Sequence, residues 1–205
     1  MLLGEKVITN LKDIFSKRLK DTVLLIFKGK NDEKSQKIKQ ILKDISSVDE
    51  RIRFEENEEL DCIDFPCFSI TTPGKDLGIR FMGEPTGGEF QVVIDTIIMV
   101  SSNDYKISQR VEEIAEDIDE DVHIKVFVTS SCGFCPPAIK IAYSFALVNN
   151  FIKATVIDCY SFPELAMKYN VAAVPKIVIN DKVEFIGAKD DNEFLGYIIR
   201  ALEAR

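Results

Sequence analysis

The chain has 205 residues, 46% of them hydrophobic, and 26 Lys and Arg against 34 Asp and Glu give a formal net charge of −8. That is enough apolar material for one large or two small packed domains, and it excludes a disordered chain or a small disulfide-stapled scaffold. The charge repels polyanions, which argues against nucleic acid and anionic membranes as partners.

The N-terminus MLLGEKVITNLKDIF has no basic segment ahead of an apolar core, and no apolar run approaches the ~18 residues of a membrane span. The expectation is a soluble, cytoplasmic protein.

In chain order, LKDIFSKRL has helical periodicity and VLLIF (23–27) suits a buried strand. A helix is expected through SQKIKQILKDI, a strand at RIRFE, a hairpin turning at Pro73-Gly74, and a closing helix near 88–100. SQRVEEIAEDI then places Val111, Ile114, Ala115 and Ile118 on one helical face, and IKVFV (124–128) reads as a strand buried on both sides. After TSSCGFCPP comes a largely apolar helix to about Val148, then a strand at ATVID and a short helix at PELAMKY. A hairpin from KIVI across Asn180-Asp181 to VEFIG and a last helix, NEFLGYIIRAL, complete the chain.

The two series repeat. FMGEPTGGEF (81–90) matches FIGAKDDNEF (185–194) without a gap, DFPCFSI (64–70) matches AVPKIVI (173–179), and SQKIKQIL (35–42) matches PPAIKIAY (136–143). The changing offset assigns a deletion to the first copy, where the short helix before Pro66 is missing. A duplicated unit follows, with a boundary near residue 105. Each copy is expected to form an α/β fold, a parallel βαβ followed by an antiparallel hairpin, making a mixed four-stranded sheet flanked by helices.

Cys132 and Cys135 stand two residues apart between a strand and a helix. The positive end of the helix favours a thiolate at Cys132, and a thiol one turn further in can resolve a mixed disulfide. Attack is therefore assigned to Cys132 and resolution to Cys135. Gly133 permits a tight turn and close approach of a partner's backbone, and Phe134 offers it an apolar patch. Pro136 and Pro137 predict a distorted first turn. Pro175 stands just ahead of an apolar strand, where a cis peptide after Val174 would turn the backbone toward the cysteines.

These segments, VFVTSSCGFCPPA, TVIDCYSFPELAMKYNVAAVPKIVIN and EFIGAKDDNEFLGYI, resemble thioredoxin and glutaredoxin. With the repeat, the whole chain resembles the protein disulfide oxidoreductases of thermophiles, which join two thioredoxin-like folds in tandem. The resemblance implies a degenerate domain at 1–105 and a redox-active one at 106–205. It implies a Cys132–Cys135 redox pair, a shelf of Val174 and cis-Pro175 against which substrate docks, and no cofactor or metal of the chain's own. It also implies protein disulfides as substrates and a thioredoxin-reductase-like flavoprotein as electron donor, placing the protein in electron transport and cell redox homeostasis.

Two departures stand out. The first copy has Asn31 and Lys34 where the second has the cysteines, so it has no dithiol at that position and two-site isomerase action is not implied. Val126 occupies the position of the buried acid that thioredoxin keeps beneath its dithiol.

The rival readings are a redox-dead adaptor and a zinc-stapled scaffold in which Cys62 and Cys67 complete a four-thiolate set. Apart from that, Cys62 and Cys67 are expected to pair with each other or to fill space as small apolar residues. Cys159 is expected to pack at the end of its strand, and His123, the only histidine, to lie on the surface. EEIAEDIDED reads as a solvated face, and TGGEF lacks the Lys and spacing of a phosphate loop.

Overall fold

The computed structural model describes residues 2–204. The first half contains α1 (Glu5–Arg18), β1 (Val23–Lys28), α2 (Glu33–Ser46), β2 (Ile52–Glu56), β3 (Cys67–Thr71), β4 (Ile79–Met82) and α3 (Gly88–Ser102). The second contains α4 (Gln109–Glu116), β5 (Val122–Val128), α5 (Cys135–Val148), β6 (Ile152–Asp158), α6 (Pro163–Lys168), β7 (Lys176–Ile179), β8 (Val183–Ile186) and α7 (Asp191–Glu203). Every element read from the periodicity is present, and no helix stands between β2 and β3. Asn180 and Asp181, both left-handed at φ 52° and 56°, are the central residues of the turn between β7 and β8, closed by the Lys182 amide donating to the Ile179 carbonyl at 3.0 Å.

The four-stranded sheet expected of each copy is instead one half of a larger sheet. There is one eight-stranded sheet, ordered β2-β1-β3-β4-β6-β5-β7-β8. Its two sets of four share one order and one sense: β1 runs parallel to β2 and antiparallel to β3, as β5 runs parallel to β6 and antiparallel to β7. The sets join where β4 pairs in parallel with β6, from Ile79↔Ala154 to Met82↔Ile157. All four β4 residues are buried, Arg80 among them, and as an edge strand β4 would otherwise be open to pairing with another chain.

Alternation along the strands separates two cores. Phe68, Phe81, Val126, Val156 and Ile177 point into a large cluster with α1, α2, α3, α4, α5 and α7. Their neighbours Cys67, Met82, Ile157, Phe127 and Val178 point the other way into a smaller cluster with Leu60 and Phe162, covered by α6 and the 57–66 loop. That loop occupies the face where the first half lacks a counterpart of α6.

No helix among the described residues is long and apolar enough to cross a membrane.

Candidate redox site

β5 delivers the chain at Val128 to a turn in which the Cys132 amide donates to the Thr129 carbonyl at 3.0 Å. Cys132 and Cys135 are joined as a disulfide with Cα atoms 5.5 Å apart. Their environments differ as expected. Cys132 is partly exposed, whereas Cys135 is 1% exposed within the large core.

The helix itself begins at Cys135, so Cys132 lies one turn ahead of α5 rather than at its first position. Pro136 and Pro137 produce no break in it. They occupy its second and third positions, where a backbone N–H has no intrahelical partner, so proline costs no hydrogen bond. Gly133 is exposed with open space beside it, and Phe134 is 74% exposed at the tip of the turn.

Val174–Pro175 is cis, as is Phe65–Pro66 at the matching position in the first half. Lys176 pairs with Phe127, so Pro175 sits at the sheet edge from which the cysteine turn departs. Cys159 reaches the same edge, its amide donating to the Val128 carbonyl at 2.9 Å. It is a free thiol, and burial with the neighbouring Asp158 pushes it up to about 11. At neutral pH it is protonated and a poor nucleophile.

One group at the site escaped the sequence reading. Glu89, in the first turn of α3, is 2% exposed, and neither carboxyl oxygen has a hydrogen-bond partner among the described residues. Burial first, then the Asp158 charge, raise it from 4.5 to about 8.

The neighbouring glycines show how α3 reaches the cysteine turn. A Cβ on Gly87, at φ +54°, would lie 2.9 Å from the Ser130 carbonyl, and one on Gly88 would lie 3.9 Å from Pro136. At Gly87 only glycine lets the backbone approach so closely. Asp158 is held by the amides of Tyr160 and Ser161, at 3.2 and 3.0 Å. Because an acid at the start of a helix ordinarily faces water and favours the dipole, nothing in GGEF signalled burial.

Three smaller expectations change or resolve. Cys62 and Cys67 are a disulfide, with Cα atoms 6.5 Å apart, and not fillers. All four sulfurs of the imagined thiolate set are thus in S–S bonds, and the described residues bring together no group of three or more His, Cys, Asp or Glu suited to a metal. His123 is half-buried, its Nε2 2.9 Å from the Thr155 hydroxyl. Burial, then Lys125 and Lys153, lower it from 6.5 to about 4.

Residues 122–200 match the thioredoxin domain family. The chain is 30% identical over 181 residues to AhpF, a subunit of alkyl hydroperoxide reductase, in Escherichia coli K12, covering 88% of this chain and 34% of that protein. It is 29% identical over 150 residues to the protein of the same name in Staphylococcus aureus Mu50, covering 73% and 29% respectively. The chain thus spans about a third of the length of these curated relatives.

Among solved structures, a protein disulfide oxidoreductase from Aeropyrum pernix superposes with a TM-score of 0.87 at 22% identity, over 99% of this chain and 95% of that one. AhpF of Enterococcus faecalis gives 0.86 at 23%, over 97% and 100%. These two show a shared fold. Together with the thioredoxin-domain match at residues 122–200, they give the chain a thioredoxin-like fold.

Proposed function

We propose that the protein is a thiol-disulfide oxidoreductase acting on protein disulfides through Cys132 and Cys135, built as two thioredoxin-like units, 1–105 and 106–205, of which only the second has a dithiol at the helix-start position. The observation that carries the reading is the asymmetric disulfide ahead of α5, one sulfur reachable and the other sealed in the core. In the reduced protein the Cys132 thiolate attacks a substrate disulfide, forming a mixed disulfide and releasing the substrate's other sulfur. Cys135 then attacks Cys132 Sγ, which frees the substrate cysteine and restores the Cys132–Cys135 bond.

Cys135 must lose a proton as it attacks. Glu89, on the helix packed against the first turn of α5, is the group in this reading that accepts it. The same carboxyl returns a proton when the dithiol is regenerated. A carboxyl raised to about 8 is close to neutral pH, where general acid-base exchange is most effective. It fills the role left open by Val126.

Gly133, Phe134, Val174 and Pro175 form the docking surface in this reading: the exposed glycine and phenylalanine flank the reactive sulfur, and the proline edge offers backbone to an extended substrate segment. The likeness to a component of alkyl hydroperoxide reductase supports a place in an electron chain, with a thioredoxin-reductase-like flavoprotein as donor and a protein disulfide as acceptor. A cytoplasmic location fits such a chain, since thiols persist in reduced form there.

Insulin reduction tests the reading. Cys132→Ser is expected to lower turnover by at least 1000-fold, on the order of 4 kcal/mol of barrier. Cys135→Ser is expected to accumulate a mixed disulfide detectable by mass. Full turnover by Cys132→Ser removes that sulfur from the mechanism.

A further inference from the structure

The second disulfide, Cys62–Cys67, lies in the half that has lost its helix-start dithiol. It closes a separation of only five residues, so it constrains the unfolded chain little. Cys67 opens β3, a strand buried at all five positions and paired on both sides, and its place in the sheet does not depend on the bond to Cys62. Cys62 sits in the irregular 57–66 loop and is partly exposed, whereas Cys67 is fully buried. An incoming thiolate therefore reaches Cys62 and expels Cys67.

A cation beside a buried sulfur stabilises it as a leaving thiolate. Lys28 is the direct cross-strand partner of Cys67 in the β1–β3 register, so the two side chains share one face at about 5 Å between Cβ atoms. Its Nζ donates to the Leu60 carbonyl at 3.1 Å and lies 4.5 Å above the Phe65 ring. Among the described residues it makes no ion pair. The neighbouring acids are engaged elsewhere: Asp61 with Lys153, and Asp64 with Lys30 at 3.8 Å. An ammonium without an ion-pair partner among the described residues is thus on the strand position paired with Cys67, tied to the loop that carries Cys62.

We propose that Cys62–Cys67 is a second thiol-disulfide exchange site whose reductant is a protein dithiol, with Cys62 as the attacked sulfur and Cys67 leaving beside the Lys28 ammonium. A thiolate of the dithiol bonds to Cys62 Sγ, the Cys62–Cys67 bond breaks, and its electron pair passes to Cys67. The dithiol's second sulfur loses its proton and attacks the first, which restores Cys62 as a thiol. Two electrons and two protons pass from the dithiol to the pair.

The donor is a separate molecule. Cys67 stands three strands from Phe127, roughly 14 Å across the sheet, and Cys132 packs against the opposite core.

The experiment uses full-length chains. The acceptor is the oxidised Cys132→Ser, Cys135→Ser double variant. It is mixed with the pre-reduced Cys62→Ser, Cys67→Ser double variant, or separately with dithiothreitol, and maleimide labels at residues 62 and 67 are counted by mass while circular dichroism follows the fold. The expected result is that both labels appear in the folded acceptor with either reductant. Lys28→Gln is expected to slow the opening at least tenfold, and Lys28→Arg to restore it. Labels that appear only when the acceptor unfolds overturn the proposal, as does an acceptor opened by neither reductant. A donor that reduces insulin but not the acceptor overturns the protein-dithiol assignment, and an unchanged rate in Lys28→Gln overturns the role of the cation.

Discussion

The two halves place different chemistry on equivalent backbone. Where the second half has Cys132 and Cys135, the first has exposed Asn31 and half-buried Lys34. Where the second half has exposed Glu193 in the first turn of α7, the first has Glu89, buried and unpartnered in the first turn of α3. The cysteine pair and the buried acid therefore lie in different halves. The parallel β4–β6 pairing joins the halves, and α3 packs against α5, a Cβ on Gly88 lying 3.9 Å from Pro136. In the proposed mechanism the thiols come from one half and the acid from the other.

The sharpest way to break that division of labour is Glu89→Gln against Glu193→Gln. Loss of a positioned acid-base group is expected to lower exchange by roughly 100-fold near pH 7 and to remove the rate inflection near pH 8. The Glu193 variant is expected to leave both unchanged.

Stability moves the other way. A carboxyl raised in the folded state binds more protons than the unfolded chain between pH 4.5 and about 8, so stability falls as pH rises through that window. Glu89→Gln is expected to unfold later than the parent at pH 7, by about 2 kcal/mol after discounting for water reaching the site. A rate loss without that gain in stability would mean that Glu89 acts through packing.

The element order and the cysteine pair were legible because both rest on local pattern. Apolar periodicity gave every helix and strand, and the cysteine spacing survives any change of context. The single sheet was not legible. Nothing in IRFM or IKATVID distinguishes an edge strand of a small sheet from the centre of a large one, since the pairing depends on how the two copies meet. Glu89 was hidden for a similar reason, because its burial comes from a turn more than forty residues away. His123 was misread from its place at the start of a strand, where burial is set by β6 alongside and by two lysines flanking it on the same face.

That histidine gives the next contrast, at the register position where the first half has Leu24. A base lowered to about 4 stays neutral in the folded protein while the unfolded chain protonates near 6.5. Its contribution is complete above pH 6.5 and is lost as pH falls toward 4. Acid titration of the parent against His123→Asn is expected to show about 2 kcal/mol less loss over that window in the variant. Leu24→Val is expected to leave the acid limb unchanged. Equal slopes for all three would remove the histidine from the acid response.

The smallest effect concerns the start of α2, where the first half has no thiol. α2 begins with Asp32 capping the Ser35 amide at 2.7 Å, and Lys34, at the place of Cys135, reaches out of its own half. Its Nζ donates to the Ser161 carbonyl at 2.8 Å and stands 5.0 Å from the centre of the Phe162 ring. Ser161 and Phe162 lie between Asp158, which neighbours Glu89, and the first residue of α6. Lys34 is thus a clasp from the first half onto the half that has the dithiol. Lys34→Met keeps the stem and removes the charge, so it is expected to cost about 1 kcal/mol, one charge-assisted hydrogen bond with a modest cation-π term. If the clasp also fixes the loop that holds Asp158, amide exchange at Tyr160 and Ser161 rises in Lys34→Met but not in Asn31→Ala. Equal protection in the two variants reduces Lys34 to a surface contact between the copies.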